Sequence, residues 1–227
     1  METLEEKIRY KFNNKNYLYH ALTHSSYSNE NKADSSGNNE RLEFLGDAVL
    51  ELTISDYIFN AYPKMPEGEM TKLRASVVCE PMLAKIAKQI DIGDKLRLGR
   101  GEAITGGRTK NSILADAFEA LIGAIYLDSG LDSARTFVMN MMEADIIDMK
   151  NKFKMSDCKT YLQEIIQKDS KSQLEYVIVS EKGPEHNKIF VAHVIHESRI
   201  LGKGQGKTKK EAEQNAAMNA INVINIC

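Results

Sequence analysis

Cysteine is scarce in this chain. Cys79, Cys158 and Cys227 are spread over 227 positions. An odd number with no short spacing excludes a disulfide framework and a cysteine-based zinc site. Such usage fits a reducing compartment, and a cytoplasmic location is expected. Long apolar runs are missing as well. No stretch approaches the ~20 uninterrupted apolar residues of a membrane span. The opening Met1-Glu-Thr-Leu-Glu-Glu6 is acidic with no apolar core after it, so no signal peptide is expected. Internal repeats and low-complexity tracts are absent. So is any excess of one charge: the net is −2, which gives no global field for nucleic acid, and a basic patch has to be local.

What is there reads in two grammars. A chain of 227 residues has room for one or two domains of about 100–200 residues each. Up to about Leu127 the pattern is helical nearly throughout, with no β-rich run. Glu80-Pro81 reads as a helix start. Pro63 and Pro66-Glu-Gly68 read as a loop, as do Gly99-Arg-Gly101 and Thr105-Gly-Gly-Arg108. The Lys-rich stretch from Lys150 to Asp157 lacks periodicity and reads as a linker. After it comes a helix from Lys159 to Lys168. Strands follow at Gln173–Val179, Ile189–Ile195 and Arg199–Lys203, with a turn at Gly183-Pro-Glu-His-Asn187. A last helix runs from Lys209 to Ile224. The expected fold is an all-α domain over 1–150, a linker over 151–157 and an α+β domain of order α-β-β-β-α over 158–227. Its net charge is about even, but Lys203, Lys207, Lys209 and Lys210 fall within eight residues that hold no acid.

Two helices of the first domain carry carboxylates in unusual settings. In Asn39-Glu-Arg-Leu-Glu-Phe-Leu-Gly-Asp-Ala-Val-Leu50, an Asn caps a helix. Leu42, Leu45, Val49 and Leu52 fall on one face, and Glu40, Glu43, Asp47 and Glu51 on the other. Like charges at these spacings each cost about 0.2–0.5 kcal/mol, and a solvated acidic face is the plain alternative. The second segment, Ser112-Ile-Leu-Ala-Asp-Ala-Phe-Glu-Ala-Leu-Ile-Gly-Ala-Ile-Tyr-Leu127, is apolar on nearly every face and so is expected to be buried. Asp116 and Glu119 are its only charges. A buried carboxylate needs a cation. Arg108 and Lys110 offer a salt bridge. A divalent ion shared with Glu43 and Asp47 is the sharper reading, and hard oxygen donors without His or Cys suit Mg²⁺, with Mn²⁺ as a substitute. Phe44 projects with the acids and needs burial, either within the domain or in a partner subunit. His20 and His24, near Ser25-Ser-Tyr27, have no nucleophile to activate and read as structural.

These segments resemble the ribonuclease III family. The stretch from Asn39 to Leu50 resembles its signature, Ser112 to Gly123 its second acidic motif, and Pro66-Glu-Gly-Glu-Met-Thr-Lys-Leu-Arg-Ala75 the segment between them. The resemblance implies a double-stranded RNA endonuclease. Glu43, Asp47, Asp116 and Glu119 match the metal-binding carboxylates, with Asp47 and Glu119 in catalytic roles. Glu40 and Glu67 match further acids of the cleavage site, and Phe44 matches an aromatic that plugs into the partner of a homodimer. The resemblance also implies metal-dependent hydrolysis without an organic cofactor, giving 5′-phosphate and 3′-hydroxyl ends with a short 3′ overhang. Ribosomal RNA precursors and other structured RNAs are the expected substrates.

In the C-terminal domain, Thr208 and Glu211 form a predicted capping box. Ala212, Ala216, Ala217, Ala220, Ile221 and Ile224 give that helix a packing face. Lys209 and Lys210 occupy its first turn, the wrong sign for the helix dipole. Either they serve solubility, or they grip phosphate together with the free N–H groups. Gly206-Lys-Thr-Lys-Lys-Glu-Ala-Glu-Gln-Asn-Ala-Ala217 and the element order resemble a double-stranded RNA-binding domain. By that resemblance Gln163, Glu164 and His186 meet the minor grooves, and Lys207, Lys209 and Lys210 the phosphates. Two rival readings stay open: a duplex-binding regulator that does not cut, and an acidic helical interaction domain on an RNA tether. Both leave Asp116 and Glu119 without a purpose.

Overall fold

Apolar side chains at helical spacing build the first of two units, Met1–Met149 and Lys150–Cys227, into which the chain divides. The computed structural model describes residues 3–31, 37–156, 158–169, 172–184 and 188–224. In the first unit, α1 (Leu4–Ile8), α2 (Lys15–Ala21) and α3 (Ser25–Glu30) are short, and each is capped by a side chain, Thr3, Asn14 and His24 respectively. They precede the long α4 (Glu40–Ala61). Then come α5 (Glu67–Val77), α6 (Glu80–Gln89), α7 (Ile92–Lys95) and α8 (Arg100–Ile104). A 3-10 turn at Gly107–Thr109 leads into α9 (Asn111–Ser156).

Helix α6 starts with Pro81 in its first turn, as predicted. The Pro66-Glu-Gly68 loop is shorter than expected: Pro66 is the N-cap of α5, and Glu67 already lies in the helix. Proline loses nothing at a helix entry, and an acid there meets the positive end of the dipole. Helix α9 is interrupted once, at Gly130, whose φ of 80° and ψ of −177° are not helical. The segment expected as an irregular linker is helical through Ser156. It holds Lys, Met and Phe but no Gly or Pro, so it continues the turn it inherits without an apolar face of its own.

The first half of α9 is the core. Phe118, Leu121, Ile122 and Ile125 are fully buried, and Leu50, Ile54, Ile58, Leu73, Val77, Leu83 and Ile86 pack in the same cluster. On α4 the buried stripe is Leu42, Gly46, Val49, Leu50, Thr53, Ile54 and Ile58. The expectation for Leu52 is corrected, since it is 55% exposed. The stripe is rotated toward Gly46 and Leu50, because α4 meets α9 at its glycine.

The second unit holds α10 (Cys158–Asp169), β1 (Glu175–Lys182), β2 (Ile189–His196), β3 (Arg199–Gly206) and α11 (Lys209–Ile224). The strands form an antiparallel sheet in the order β1-β2-β3. Tyr176 pairs with Val194 and Ile178 with Ala192, and opposite these β2 residues on β3 stand Gly202 and Gly204. This face meets α11 through Ala212, Ala216, Ala217 and Ala220, all fully buried. The approach is too close for side chains on β3: a Cβ on Gly204 would lie 2.1 Å from the Ala216 nitrogen. Asn215 and Asn219 donate to the Gln205 and Lys203 carbonyls, each at 2.7 Å. Helix α10 is tied to α11 by Lys159, whose Nζ lies 2.7 Å from Glu213, and by its amide, which donates to Gln214 at 3.1 Å.

Gly204→Ala therefore forces α11 off β3. The expected loss is about 1–3 kcal/mol or more of stability in the second unit. Calorimetric unfolding of the full chain checks this; an unchanged profile contradicts the packing argument.

Candidate active site

Glycines set the geometry here. A Cβ on Gly46 would fall 1.8 Å from the Glu119 carbonyl oxygen, and one on Gly123 would fall 2.3 Å from that of Leu42. The two backbones thus touch where α4 crosses α9. Glu43 lies one turn before Gly46 on α4, and Glu119 and Asp116 lie one and two turns before Gly123 on α9, so the crossing brings these acids near one another. One carboxylate oxygen from each of Glu43, Asp116 and Glu119 lies within 4.8 Å of the other two. All three side chains are half-buried, whereas Glu40 and Asp47 are exposed beside them.

Burial and mutual repulsion act in the same direction. Burial pushes the Glu119 carboxyl up to about 8, with Asp47, Glu43, Asp116 and Glu51 adding repulsion. Burial also raises Glu43, with Asp116, Glu40 and Asp47 contributing. Asp116 is raised mainly by burial; His24 opposes the shift and Glu80 adds to it. The salt-bridge alternative fails, because both candidate bases are engaged elsewhere. Arg108 donates to the Gly93 and Leu96 carbonyls at 2.8 and 2.9 Å. Lys110 pairs with Glu102 at 2.6 Å. Among the described residues no ion pair reaches Glu43, Asp116 or Glu119.

Three oxygen donors from two rigid helices, half-buried and without an ion-pair partner among the described residues, fit a hard divalent cation. Asp47 stands at the rim of this set as the strongest charge acting on Glu119. Glu67 is not brought to it. It accepts from Thr71 at 3.1 Å and lines a separate groove with Leu52, Ser55, Phe59, Met70 and Arg74. Phe44 is 81% exposed, so packing within its own domain does not satisfy it. Glu80 and His24, from other parts of the chain, act electrostatically on Asp116, and no local spacing in the sequence announces either.

At the start of α11, Glu211 N–H donates to the Thr208 hydroxyl at 3.1 Å, as the capping box predicts. The Glu211 carboxylate accepts from the Lys207 amide at 2.7 Å. Lys203, Lys207, Lys209 and Lys210 are all exposed. Lys209 lies 3.2 Å from Glu181 and 5.7 Å from the centre of the Phe190 ring, an exposed pair that phosphate could displace. Glu164 is exposed and Gln163 half-buried on α10. His186 lies outside the described residues.

A helical unit built around converging carboxylates, joined to an α-β-β-β-α unit with lysines at the start of its last helix, defines a nuclease that carries its own RNA-binding domain. Residues 14–146 match the family model described as Ribonuclease-III-like, and residues 158–224 match that of the double-stranded RNA binding motif. The Ribonuclease 3 of Listeria monocytogenes serovar 1/2a is 52% identical over 223 residues, covering 98% of this chain and 97% of the relative. That of Desulforamulus reducens is 52% identical over 218 residues, covering 96% and 89%. The solved nuclease domain of ribonuclease III from Campylobacter jejuni is 46% identical with a TM-score of 0.58, covering 62% of this chain and 94% of that one. The chain belongs to the ribonuclease III family and is an endoribonuclease with a double-stranded RNA-binding domain.

The raised carboxyls predict how stability depends on pH. Without a cation, the folded chain keeps a proton on Glu119 between the ordinary carboxylate range and pH about 8, where the unfolded chain has released it. Folding therefore weakens as pH rises through that window. In EDTA, the melting temperature of the wild type is expected to fall as pH rises from the ordinary carboxylate range to about 8, with Glu119→Gln flatter and more stable at the alkaline end. Parallel profiles for the two proteins would remove Glu119 as the source.

Proposed function

We propose that the chain hydrolyses double-stranded RNA with Mg²⁺, or Mn²⁺ in its place, held by Glu43, Asp116 and Glu119 with Asp47 beside them. The observation that carries this reading is the convergence of those three half-buried carboxylates, which no ion pair among the described residues neutralises. Catalysis is assigned to 1–150 and duplex binding to 158–227, with 151–157 between them. The products are 5′-phosphate and 3′-hydroxyl ends with a short 3′ overhang. Ribosomal RNA precursors and other structured transcripts are the substrates, cut in the cytoplasm.

When bound, the cation supplies Lewis-acid activation of water and neutralises charge on the departing 3′ oxygen. The chain's own part is to hold that charge in place. Two packed helices fix Glu43, Asp116 and Glu119, so little reorganisation accompanies the reaction. Asp47 and Glu40 extend the negative rim and draw cations toward the centre. Glu67, on its separate groove, meets the substrate or a second subunit. Lys207, Lys209 and Lys210 grip phosphates at the start of α11, while Gln163, Glu164 and His186 read the minor grooves by shape. Binding then weakens as salt rises.

The active form is a homodimer. The exposed Phe44 supports this, as do Leu52 and Phe59, which lie 55% and 67% exposed on the same helix. Three large apolar groups left in water on one helix are a patch that a second copy covers. Phe44→Asp is expected to shift the chain toward monomer in sedimentation equilibrium, with the helical signal unchanged; an unaltered mass would exclude this contact.

The decisive assay is cleavage of a long labelled duplex with Mg²⁺. Glu119→Gln is expected to lower the rate by about 10²-fold or more and to retain the duplex in a gel shift. EDTA is expected to stop cutting by the wild type. A wild type that binds the duplex and leaves it intact would instead identify a non-cleaving RNA-binding regulator.

A further inference from the structure

Of the four lysines around the start of α11, only one has an acid beside it. Lys203, Lys207 and Lys210 form no ion pair among the described residues. Lys209 does, and its partner comes from a different element. Glu181 stands near the end of β1, directly opposite Phe190 on β2. Opposed residues share a sheet face, and Phe190 packs against the core of the second unit, so Glu181 stands on the face that α11 covers.

Lys209 reaches both residues. Its Nζ lies 3.2 Å from Glu181 Oε1 and 5.7 Å from the centre of the Phe190 ring. The second oxygen, Oε2, lies 3.9 Å from Nζ of Lys188, just before β2 begins. One carboxylate thus stands between two lysines that are 22 positions apart in the chain. Glu211, the acid close by in sequence, is turned instead to the Lys207 amide, which donates to it at 2.7 Å. The Glu181 side chain is 41% exposed and that of Lys209 61%. A pair this open to water is held only weakly, and a phosphate competes for the lysine on nearly equal terms. The exchange then leaves the carboxylate beside a phosphate, like charge against like.

We propose that Glu181 is an internal counter-ion of the phosphate grip: it occupies Lys209 in the free protein, yields it to a duplex phosphate, and holds duplex affinity below what the lysines alone would supply. The inference rests on the assignment of Lys209 to phosphate given above. Phosphate contacts carry no sequence information, so the effect is the same for every duplex and is set by ionic strength.

Glu181→Gln keeps the shape and removes the charge. Affinity of the full chain for a labelled duplex is measured by fluorescence anisotropy over a series of salt concentrations, in EDTA so that the duplex stays intact. The wild type is compared with Glu181→Gln, Lys209→Gln and the double variant. Glu181→Gln is expected to bind about 2–5-fold more tightly at low salt. Its log affinity is expected to fall more steeply with log salt, so the advantage fades as salt rises. Lys209→Gln is expected to bind more weakly than the wild type, and adding Glu181→Gln to it to recover little. All four proteins are expected to melt alike, because both side chains are exposed. Unchanged or weaker binding by Glu181→Gln overturns the inference. So does an equal gain with and without Lys209, which would make Glu181 a general repulsive charge. A Lys209→Gln variant that binds like the wild type, or a wild type that binds no duplex, overturns instead the phosphate assignment on which the inference rests.

Discussion

The contact between Gly46 and Gly123 is the constraint on which the first unit turns. Any Cβ at either position collides with the backbone of the facing helix, so the two helices approach as closely as backbones allow. Carboxylates that would otherwise be held apart by side-chain girth are brought together on one side of the crossing. The apolar residues that flank it, Leu42, Val49 and Leu50 on α4 and Phe118, Leu121 and Ile122 on α9, are buried on the other. Hydrophobic burial is worth about 25 cal/mol per Å², and this core offsets the repulsion among Glu43, Asp116 and Glu119. The site stores strain as charge, which a bound cation would relieve. A loosened crossing would relieve it too, at the loss of the geometry.

The second unit uses small residues for a related purpose. Gly202 and Gly204 let an alanine stripe lie directly on β3, and this fixes the start of α11, where Lys207, Lys209 and Lys210 are exposed. Asn215 and Asn219 secure the same interface by bonding β3 carbonyls. In both units a close backbone approach positions charges of one sign, negative at the carboxylate cluster and positive at the start of α11. The net charge of −2 conceals this because the two groups cancel.

Much of the architecture was legible from periodicity and punctuation. Helix α11 appears from Lys209 to Ile224 as its capping box and alanine stripe predict, and the first two strands fall close to their expected places, whereas β3 runs on past Lys203 to Gly206 through glycines that the sequence suggests as loop. Where the reading slipped, it slipped on context. Leu52 was assigned to the buried face by angle alone, whereas the glycine contact rotates α4 and leaves it exposed. The stretch from Lys150 to Asp157 reads as a linker because it is Lys-rich and lacks periodicity, yet helix propagates through Ser156 along residues that merely tolerate it. Pro66 was read as loop, although proline is equally suited to open a helix.

For the site, the sequence by itself determined the chemistry: which residues are acidic, which helices carry them, and that Asp116 and Glu119 sit in an apolar run that cannot bury them unpaired. Those facts depend on residue type and on helical period, both local. Tertiary structure decided which acids converge and what surrounds them. It set Glu43 with Asp116 and Glu119, left Asp47 at the rim, put Glu67 at another groove, and directed Arg108 and Lys110 to other partners. It also placed His24 and Glu80 where their charges act on Asp116. Distances between elements follow from how closely helices pack, and that is set by pairs of residues such as Gly46 and Gly123, far apart in the chain, whose meeting no local pattern announces.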